Sequence, residues 1–471
     1  MSQLKFGTSG VRGLVTQFTD EECYRFTAAF VESIKGRRFD QMLVAGDLRE
    51  STPNIKKKVI QALNHLGYQV LDGGTVPTPA LAWGCAGLRV PGIMITGSHI
   101  PADRNGLKFY LPEGEILKSD EESILKYYHQ GEKNSVPSLS HSLVQAEIDL
   151  AGRFQDRYLE AFPGRPLQGL RVGFYSHSSV ARDLYPPLLT QMGADVFEFG
   201  RSSHFIPVDT EAVESVQFLS QTLKEHSLHL VISTDGDADR PLVVSDAGRV
   251  VPGEILGLIA SNYLGIQTIV YPVSCSSLLE ASGWIEECLI TRIGSPFVLG
   301  QMLDRIREFP NRRIAGFEAN GGYLLGSQTM GLRPLMTRDS LLPILCFLLS
   351  MKKQSPMQAS QLLTPFSNRI NLSGLIRGIA PDQAALVLRN FKNQLNQGQD
   401  FDSPISLGLV GVVNELDGVR VLFQTNHIVH LRPSGNAPEF RIYIESDSLG
   451  NAEVLMDYFQ DWVKRQVDSA S

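Results

Sequence analysis

The feature that most constrains this chain is the stretch His229-Leu-Val-Ile-Ser-Thr-Asp-Gly-Asp-Ala-Asp-Arg240. A short apolar run reads as a buried strand, and it empties into a loop with Asp235, Asp237 and Asp239 at alternate positions. Carboxylates this close repel one another unless a positive charge sits among them. Gly236 and the small Ala238 let the loop curl so that all three face one point. Hard oxygen ligands in a small cluster suit Mg²⁺, which completes its octahedron with water or phosphate oxygens. Arg240 follows at once, a cation suited to gripping phosphate with two prongs. An EF-hand reading fails, because Arg240 and Asp246 stand where that loop needs Gly and Glu. An acidic solvated turn is the plain alternative on pattern alone.

At 471 residues the chain exceeds a single core. With 43% hydrophobic and 20% charged residues, it has the composition of a globular protein. A net charge of -7 argues against nucleic-acid binding and requires any anion-binding residues to be concentrated locally. Cys23, Cys85, Cys275, Cys288 and Cys346 are scattered, with neither a C-x-x-C pair nor neighbouring histidines. They read as reduced thiols of a cytoplasmic protein. The N-terminus lacks a secretory signal, and the longest apolar run, 341–351, is too short to cross a bilayer and reads as a buried helix.

Along the chain, Thr19-Asp-Glu-Glu22 is a capping box, Cys23, Phe26, Phe30 and Ile34 form an apolar stripe, and Gly36 is the expected stop. A strand over 42–45, a helix from Ser51-Thr-Pro53 to Gly67 and a strand over 92–96 follow, which predicts a mainly parallel sheet with helices on both faces. The last strand delivers the stretch Thr96-Gly-Ser-His-Ile-Pro-Ala-Asp-Arg-Asn-Gly-Leu-Lys108, in which Gly97 and Pro101 shape a tight loop. Its Ser98 falls at a strand's carboxyl end, where open α/β sheets bind ligands. On its own a loop serine, or His99, is more often structural.

The patternless stretch 134–147 marks a boundary, after which strands and helices alternate to the hairpin 242–251. A third unit ends in Glu318-Ala-Asn-Gly-Gly322. From about residue 366 antiparallel strands and two helices indicate a smaller α+β domain, with the loop Arg432-Pro-Ser-Gly-Asn-Ala-Pro438 and Arg441 close behind. These groups suit a phosphate dianion. The expected organisation is α/β throughout: domains at 1–150, 151–252 and 253–365 carry the loops of Ser98, of Asp235 to Asp239 and of Glu318. An α+β domain at 366–471 carries the phosphate loop, and all four surround a central cleft.

Taken together, the four loops resemble the α-D-phosphohexomutase family. The resemblance runs from Phe6-Gly-Thr-Ser-Gly-Val-Arg-Gly13 to Arg432-Pro-Ser-Gly435. It implies an isomerase that interconverts mannose 6-phosphate and mannose 1-phosphate through a phosphoserine and a 1,6-bisphosphate intermediate, on the route to GDP-mannose. Ser98 would be the phosphoserine, and Asp235, Asp237 and Asp239 would hold Mg²⁺ with it. Lys108 would be a general acid or base, its pKa depressed by metal and Arg12. His99 joins the catalytic group, and Arg12 and Arg240 would steady phosphates. Glu318, with Asn320 and Gly321, would grip sugar hydroxyls. Arg432, Ser434, Gly435, Asn436 and Arg441 would bind the distal phosphate. A hexose 1,6-bisphosphate would serve as activator. Small sugar phosphates are the implied partners, with no nucleic acid or membrane, for a monomer or homodimer.

Several positions depart from the family pattern. Ile100 stands where many members have Asn, Asn320 replaces a common Ser, and Gly322 and Ser295 stand where others have His. Asn436-Ala437 replaces Thr-Glu. The departures fall on sugar and phosphate contacts, so the competing readings are a glucose or dual-specificity mutase. More distant ones are an aspartyl-phosphate phosphatase, in which Asp235 is the nucleophile, and a non-catalytic sugar-phosphate sensor.

Overall fold

The computed structural model describes residues 4–7, 10–131, 143–398, 401–433 and 439–468. Two compact units result: Met1–Tyr271, Trp284–Leu289 and Gly294–Leu362 form the first, and Pro272–Gly283, Ile290–Ile293 and Leu363–Ser471 the second. Much of the expected boundary 134–147, together with Thr8, Ser9, Ser434, Gly435, Asn436 and Ala437, lies outside the described residues.

The first sheet contains β1 (Lys5–Phe6), β2 (Val11–Leu14), β3 (Gln41–Gly46), β4 (Gln69–Thr75), β5 (Gly92–Ile95), β6 (Arg104–Leu111), β7 (Gly114–Glu115) and β8 (Ala146–Glu147). Among its helices, α1 (Asp20–Ile34) starts where Thr19 Oγ1 accepts the Glu22 N–H at 3.1 Å, and three acidic residues in its first turn complement the helix dipole. α1 ends at Ile34 with Lys35 as its cap, just ahead of the expected stop at Gly36. The chain passes through Gly36 in a 3₁₀ turn, and the left-handed residue is Arg38, with φ 52°. α2 (Thr52–His65), α3 (Thr78–Leu88) and α4 (Lys118–Gly131) complete the set. Phe26 and Phe30 of α1, Val59 of α2 and Ile124 of α4 pack with Met42, Val44, Ile93, Ile95, Leu107 and Phe109 of the sheet.

The sheet is mixed where a mainly parallel one was expected. β3 pairs in parallel with β4 and β5, but β6 runs antiparallel to both β5 and β2. Residues 104–108 belong to β6 and place Lys108 opposite Met94. Asn105 and Lys108 are both buried in this strand. Asn105 Nδ2 donates to Ser51 and Thr52, and Lys108 is ion-paired. Because strand side chains alternate, Leu107 and Phe109 join the helix-covered core while Lys108 points to the other face.

α5 (Leu150–Ala161) leads to the second sheet, with β9 (Arg171–Tyr175), α6 (Tyr185–Gln191), β10 (Asp195–Phe199), α7 (Val216–Glu225), β11 (Leu230–Thr234) and β12 (Pro241–Ser245). α7 begins only at Val216, because a turn closed by Asp209 occupies the preceding residues. The third sheet follows α8 (Gly253–Tyr263) and contains β13 (Thr268–Pro272), β14 (Glu287–Thr291), β15 (Ile314–Phe317), β16 (Tyr323–Leu325) and β17 (Leu335–Asp339), interleaved with α9 (Leu278–Ala281) and α10 (Ser295–Glu308). α11 (Leu341–Met351) is the buried helix expected there, and no helix among the described residues is long and apolar enough to cross a membrane.

The three sheets share one strand order: β4-β3-β5-β6, β10-β9-β11-β12 and β14-β13-β15-β16. In each, the third strand runs parallel to the first and the fourth returns antiparallel. The repeated architecture expected from the alternation is therefore present. The serine, aspartate and glutamate loops all lie between the third and fourth strands.

In the second unit, after α12 (Ala359–Leu363), the strands are β18 (Ile370–Arg377), β19 (Val410–Asn414), β20 (Val419–Phe423), β21 (Ile428–Pro433) and β22 (Glu439–Ser446), in the antiparallel order β18-β22-β21-β20-β19. α13 (Pro381–Asn396) and α14 (Leu449–Asp468) pack through Phe391, Phe459 and Trp462. The buried Glu445 accepts from Ser277 Oγ at 2.6 Å, Ser276 Oγ at 3.0 Å and Arg369 Nε at 3.0 Å, which ties residues 272–283 into this unit.

Candidate active site

Ser98 follows β5 in a tightly held turn. Thr96 Oγ1 donates to Asp47 Oδ2 at 2.7 Å and accepts from Ser98 N at 2.9 Å. Ser98 has φ 54°, a left-handed conformation that a side chain adopts only when its surroundings enforce it. Arg49, 1% exposed, does the enforcing. Its Nη1 donates to Pro101 O (2.7 Å) and Arg104 O (2.9 Å), and its Nη2 to Ser98 O (2.9 Å) and Ile100 O (2.6 Å). The guanidinium also lies 3.9 Å from the Phe205 ring centroid, and a Cβ on Gly97 would meet its Cζ at 2.6 Å. Sequence reasoning missed this clamp. The available signal was Asp47-Leu-Arg49, charged residues directly after a buried strand.

The aspartate loop closes against this turn. Gly236 approaches so closely that a Cβ there would lie 2.7 Å from Ser98 O, and Ala238 takes φ 57°. Ser98 Oγ donates to Asp235 Oδ2 and lies 3.2 Å from His99 Nδ1. Asp235 Oδ1 accepts the N–H groups of Asp239 and Arg240, each at 3.2 Å. Thr78, at the start of α3, donates from Oγ1 to Asp237 Oδ2 at 2.6 Å and from its N–H to Asp237 O at 2.9 Å. His177 Nε2 donates to Thr234 O at 2.9 Å from behind.

The three carboxylates are fully buried, with one oxygen from each within 4.8 Å of the others. Lys108 Nζ bridges Asp237 Oδ2 (2.6 Å) and Asp239 Oδ2 (2.7 Å). Asp237 Oδ1 and Asp239 Oδ1 are buried without a hydrogen-bond donor. Unsatisfied, buried, hard oxygens beside a third carboxylate suit a divalent cation, so the triad fits a metal.

The charges perturb one another strongly. Burial and the neighbouring carboxylates push Asp235 well above the usual carboxylate range. Burial also opposes ionisation of Asp239, but Arg338, Lys108 and Arg240 outweigh it and hold that group low. Burial likewise disfavours charge on Lys108, yet Asp237 and Asp239 prevail and raise its pKa, opposite to the expected depression. Arg240, with burial, keeps the His99 imidazole neutral. Burial and the guanidinium groups of Arg240 and Arg338 lower Arg12 to about 10, so it stays cationic at neutral pH. Arg240 Nε is 3.7 Å from Asp239 Oδ1. The first unit thus brings Ser98, His99, Lys108, Arg12, Arg240 and all three aspartates together.

Glu318 follows β15 and is 6% exposed. Its Oε2 receives Arg338 Nη1 at 3.1 Å and Asn320 Nδ2 at 3.5 Å. Gly321 closes the turn at φ 81°, donating to Glu318 O at 2.9 Å.

Residues 3–135 and 156–248 match the family models "Phosphoglucomutase/phosphomannomutase, alpha/beta/alpha domain I" and "domain II". The phosphomannomutase of Salmonella muenchen is 39% identical to this chain, covering 100% of it and 97% of its own length. The chain belongs to the phosphoglucomutase/phosphomannomutase family. The phosphomannomutase of Sinorhizobium fredii (strain NBRC 101917 / NGR234) is 37% identical over 96% of this chain and 97% of its own. A crystal structure of a phosphoglucomutase/phosphomannomutase family protein from Burkholderia thailandensis superposes with a TM-score of 0.77 at 21% identity, covering 98% and 96% of the two chains.

Two family departures acquire local explanations. Ile100 contributes a carbonyl to the Arg49 clamp, a contact that does not depend on its side chain. Asn320 Oδ1 accepts the Gly322 N–H at 3.0 Å and braces the loop.

The second unit holds Arg432 and Arg441 as cross-strand partners on β21 and β22. Like charges directly opposite one another destabilise a sheet. Asp417 Oδ1 accepts from Arg432 Nε at 3.0 Å, and Glu439 lies 3.9 Å from Arg441, which offsets the like charges. Ser434, Gly435 and Asn436 lie outside the described residues.

Proposed function

We propose that this chain is a phosphomannomutase, carrying a phosphoryl group on Ser98 Oγ and interconverting mannose 6-phosphate and mannose 1-phosphate. The observation that carries the reading is Ser98 Oγ bonded to Asp235 inside a buried, metal-fit aspartate triad. The full-length relatives named above support mannose as the sugar. Mg²⁺ held by Asp235, Asp237 and Asp239 would supply charge neutralisation for the transferring phosphoryl group.

The chain's own residues do the rest. In the first transfer the Oγ–P bond at Ser98 breaks and a P–O bond to sugar O1 forms, giving the 1,6-bisphosphate. After the sugar turns over, the 6-phosphoryl group returns to Ser98 Oγ. Lys108, held as an ammonium by two aspartates, is in the form that donates a proton to the departing Oγ. His99, kept neutral by Arg240 and burial, lies with Nδ1 3.2 Å from Ser98 Oγ and orients that oxygen. Arg12 and Arg240 steady phosphate oxygens, and Glu318, with Asn320 and Gly321, takes sugar hydroxyls. On the second unit, Arg432 and Arg441 bind phosphate. A hexose 1,6-bisphosphate primes Ser98 when it is unmodified. The described cysteines are all free, in keeping with a reducing cytoplasm.

Glucose is the second reading, since a carboxylate that grips two hydroxyls does not read C2, where the sugars differ. The test is a ³¹P NMR assay with Mg²⁺ and a trace of hexose 1,6-bisphosphate, offering mannose 1-phosphate and glucose 1-phosphate in parallel. The expected result is conversion of mannose 1-phosphate with the higher kcat/KM. Conversion of neither sugar overturns the reading.

A further inference from the structure

Arg338 lies on β17 and is 1% exposed, among the largest fully buried side chains of the described residues. Its guanidinium reaches carboxylates from three parts of the first unit. Nη2 is 2.8 Å from Asp239 Oδ2 on the metal loop, Nη1 is 3.1 Å from Glu318 Oε2 on the sugar loop, and Nε is 3.8 Å from Glu115 Oε1 on β7. Glu115 is itself fixed by Thr337 Oγ1 at 2.7 Å, Ser295 Oγ at 3.0 Å and the Arg338 N–H at 3.3 Å.

Two sequence departures converge on this one side chain. A Cβ on Gly322 would lie 2.8 Å from both Cγ and Cδ of Arg338, so any side chain at 322 would collide with the arginine's stem. Ser295 spends its hydroxyl on the carboxylate that anchors Arg338. The two positions hold one residue that leaves room for the guanidinium and one that braces its anchor. A planar fork shared by two carboxylates fixes their separation, which a single ammonium cannot do.

We infer that Arg338 is a positioning residue that locks Glu318 of the sugar loop to Asp239 of the metal loop, so that sugar hydroxyls and phosphoryl group are held in one frame. This assignment rests on the mutase reading and adds to it a residue outside the substrate-contacting set. Asp339 and Ser340 extend the same link. Asp339 accepts from Tyr158 OH and from the Leu341 N–H at 2.9 Å, and Ser340 Oγ donates to Ala238 O of the metal loop at 2.7 Å.

The test is a binding cycle in a Ser98→Ala background, in which mannose 1-phosphate binds without turnover. Its Kd is measured by calorimetry for the parent and for Arg338→Met, Glu318→Gln and the pair. Each single change is expected to weaken binding about 10- to 100-fold, the range for removing a group that orients a ligand-binding residue. The double variant should bind no more weakly than the worse single one, because Arg338 acts through Glu318. Losses that simply multiply would overturn the assignment and leave Arg338 a structural residue. If Arg338→Met fails to fold, Gly322→Ala serves instead. It displaces the guanidinium sterically and should show the same non-additivity with Glu318→Gln. No binding of mannose 1-phosphate by the parent would overturn the functional reading itself, and this inference with it.

Discussion

The aspartate loop and the glutamate loop occupy the same place in two copies of one architecture. Thr234 pairs with Pro241 across the first and Phe317 with Tyr323 across the second, so each is a short hairpin mouth between a parallel third strand and an antiparallel fourth. Their chemistry differs because their charges are neutralised differently. The aspartate loop gathers three buried carboxylates and adds to its own Arg240 cations from other elements, Lys108 from β6 and Arg338 from β17. The glutamate loop presents one carboxylate and shares the same Arg338. The fold therefore fixes where a functional loop sits, while the charges reaching it from elsewhere decide what it can hold. The aspartate loop is the more vulnerable, since losing one carboxylate strands a buried cation.

The sharpest way to break this contrast is Asp237→Asn. It removes a metal oxygen and half of the Lys108 bridge, so mutase activity should fall about 10²- to 10³-fold, in line with losing one electrostatic stabiliser. A kinetic assay across a Mg²⁺ titration checks this, and near-normal activity would show that the triad is not the metal site.

The next effect concerns how each loop is anchored. His177 braces the aspartate loop through Thr234, and burial lowers its pKa to about 4 from an ordinary 6.5. A histidine kept neutral in the folded state favours folding fully above pH 6.5. That contribution is lost as the pH falls toward 4, up to about 3 kcal/mol for this group. Urea unfolding between pH 7 and 4 should show a shallower acid loss in His177→Gln than in the parent, and identical slopes would contradict this role.

Glu318→Gln probes the other loop. Losing the charge on hydrogen bonds to sugar hydroxyls should raise ΔG‡ by about 1.5–3 kcal/mol, read as kcat/KM. Half-saturation by Mg²⁺ should stay unchanged; an equal shift in both would mean that the two loops do not divide the work. The smallest effect is a control remote from both loops. Thr19→Ala removes the α1 cap and should lower stability by about 1 kcal/mol, with kcat/KM unaltered.

What was legible in the sequence was what is local. The strand that empties into Asp235, Asp237 and Asp239 declares itself within twelve residues, and Ser98 is placed by the end of its own strand. The capping residue Thr19 and the antiparallel C-terminal sheet are equally short-range patterns. What was hidden depends on partners distant in sequence. The burial of Lys108 in a strand was not legible, because the two aspartates that make a buried lysine tolerable there lie 129 and 131 residues away. Arg49, Thr78, Glu115 and Arg338 were missed for the same reason. Each is a polar residue at the edge of an apolar element, and its purpose appears only once the loops it holds are assembled. The stop at Gly36 was legible too, since α1 ends just before it, whereas the left-handed turn at Arg38 carries no such signal.

The most direct measurement is mass spectrometry of the chain after exposure to ¹⁸O-labelled mannose 1,6-bisphosphate and Mg²⁺, followed by a chase with mannose 1-phosphate. The account predicts one phosphoryl group on the peptide containing Ser98, whose ¹⁸O label passes into the sugar phosphates during the chase, and which is absent in Ser98→Ala together with turnover. A phosphoryl group on Asp235, or turnover that survives Ser98→Ala, would contradict it.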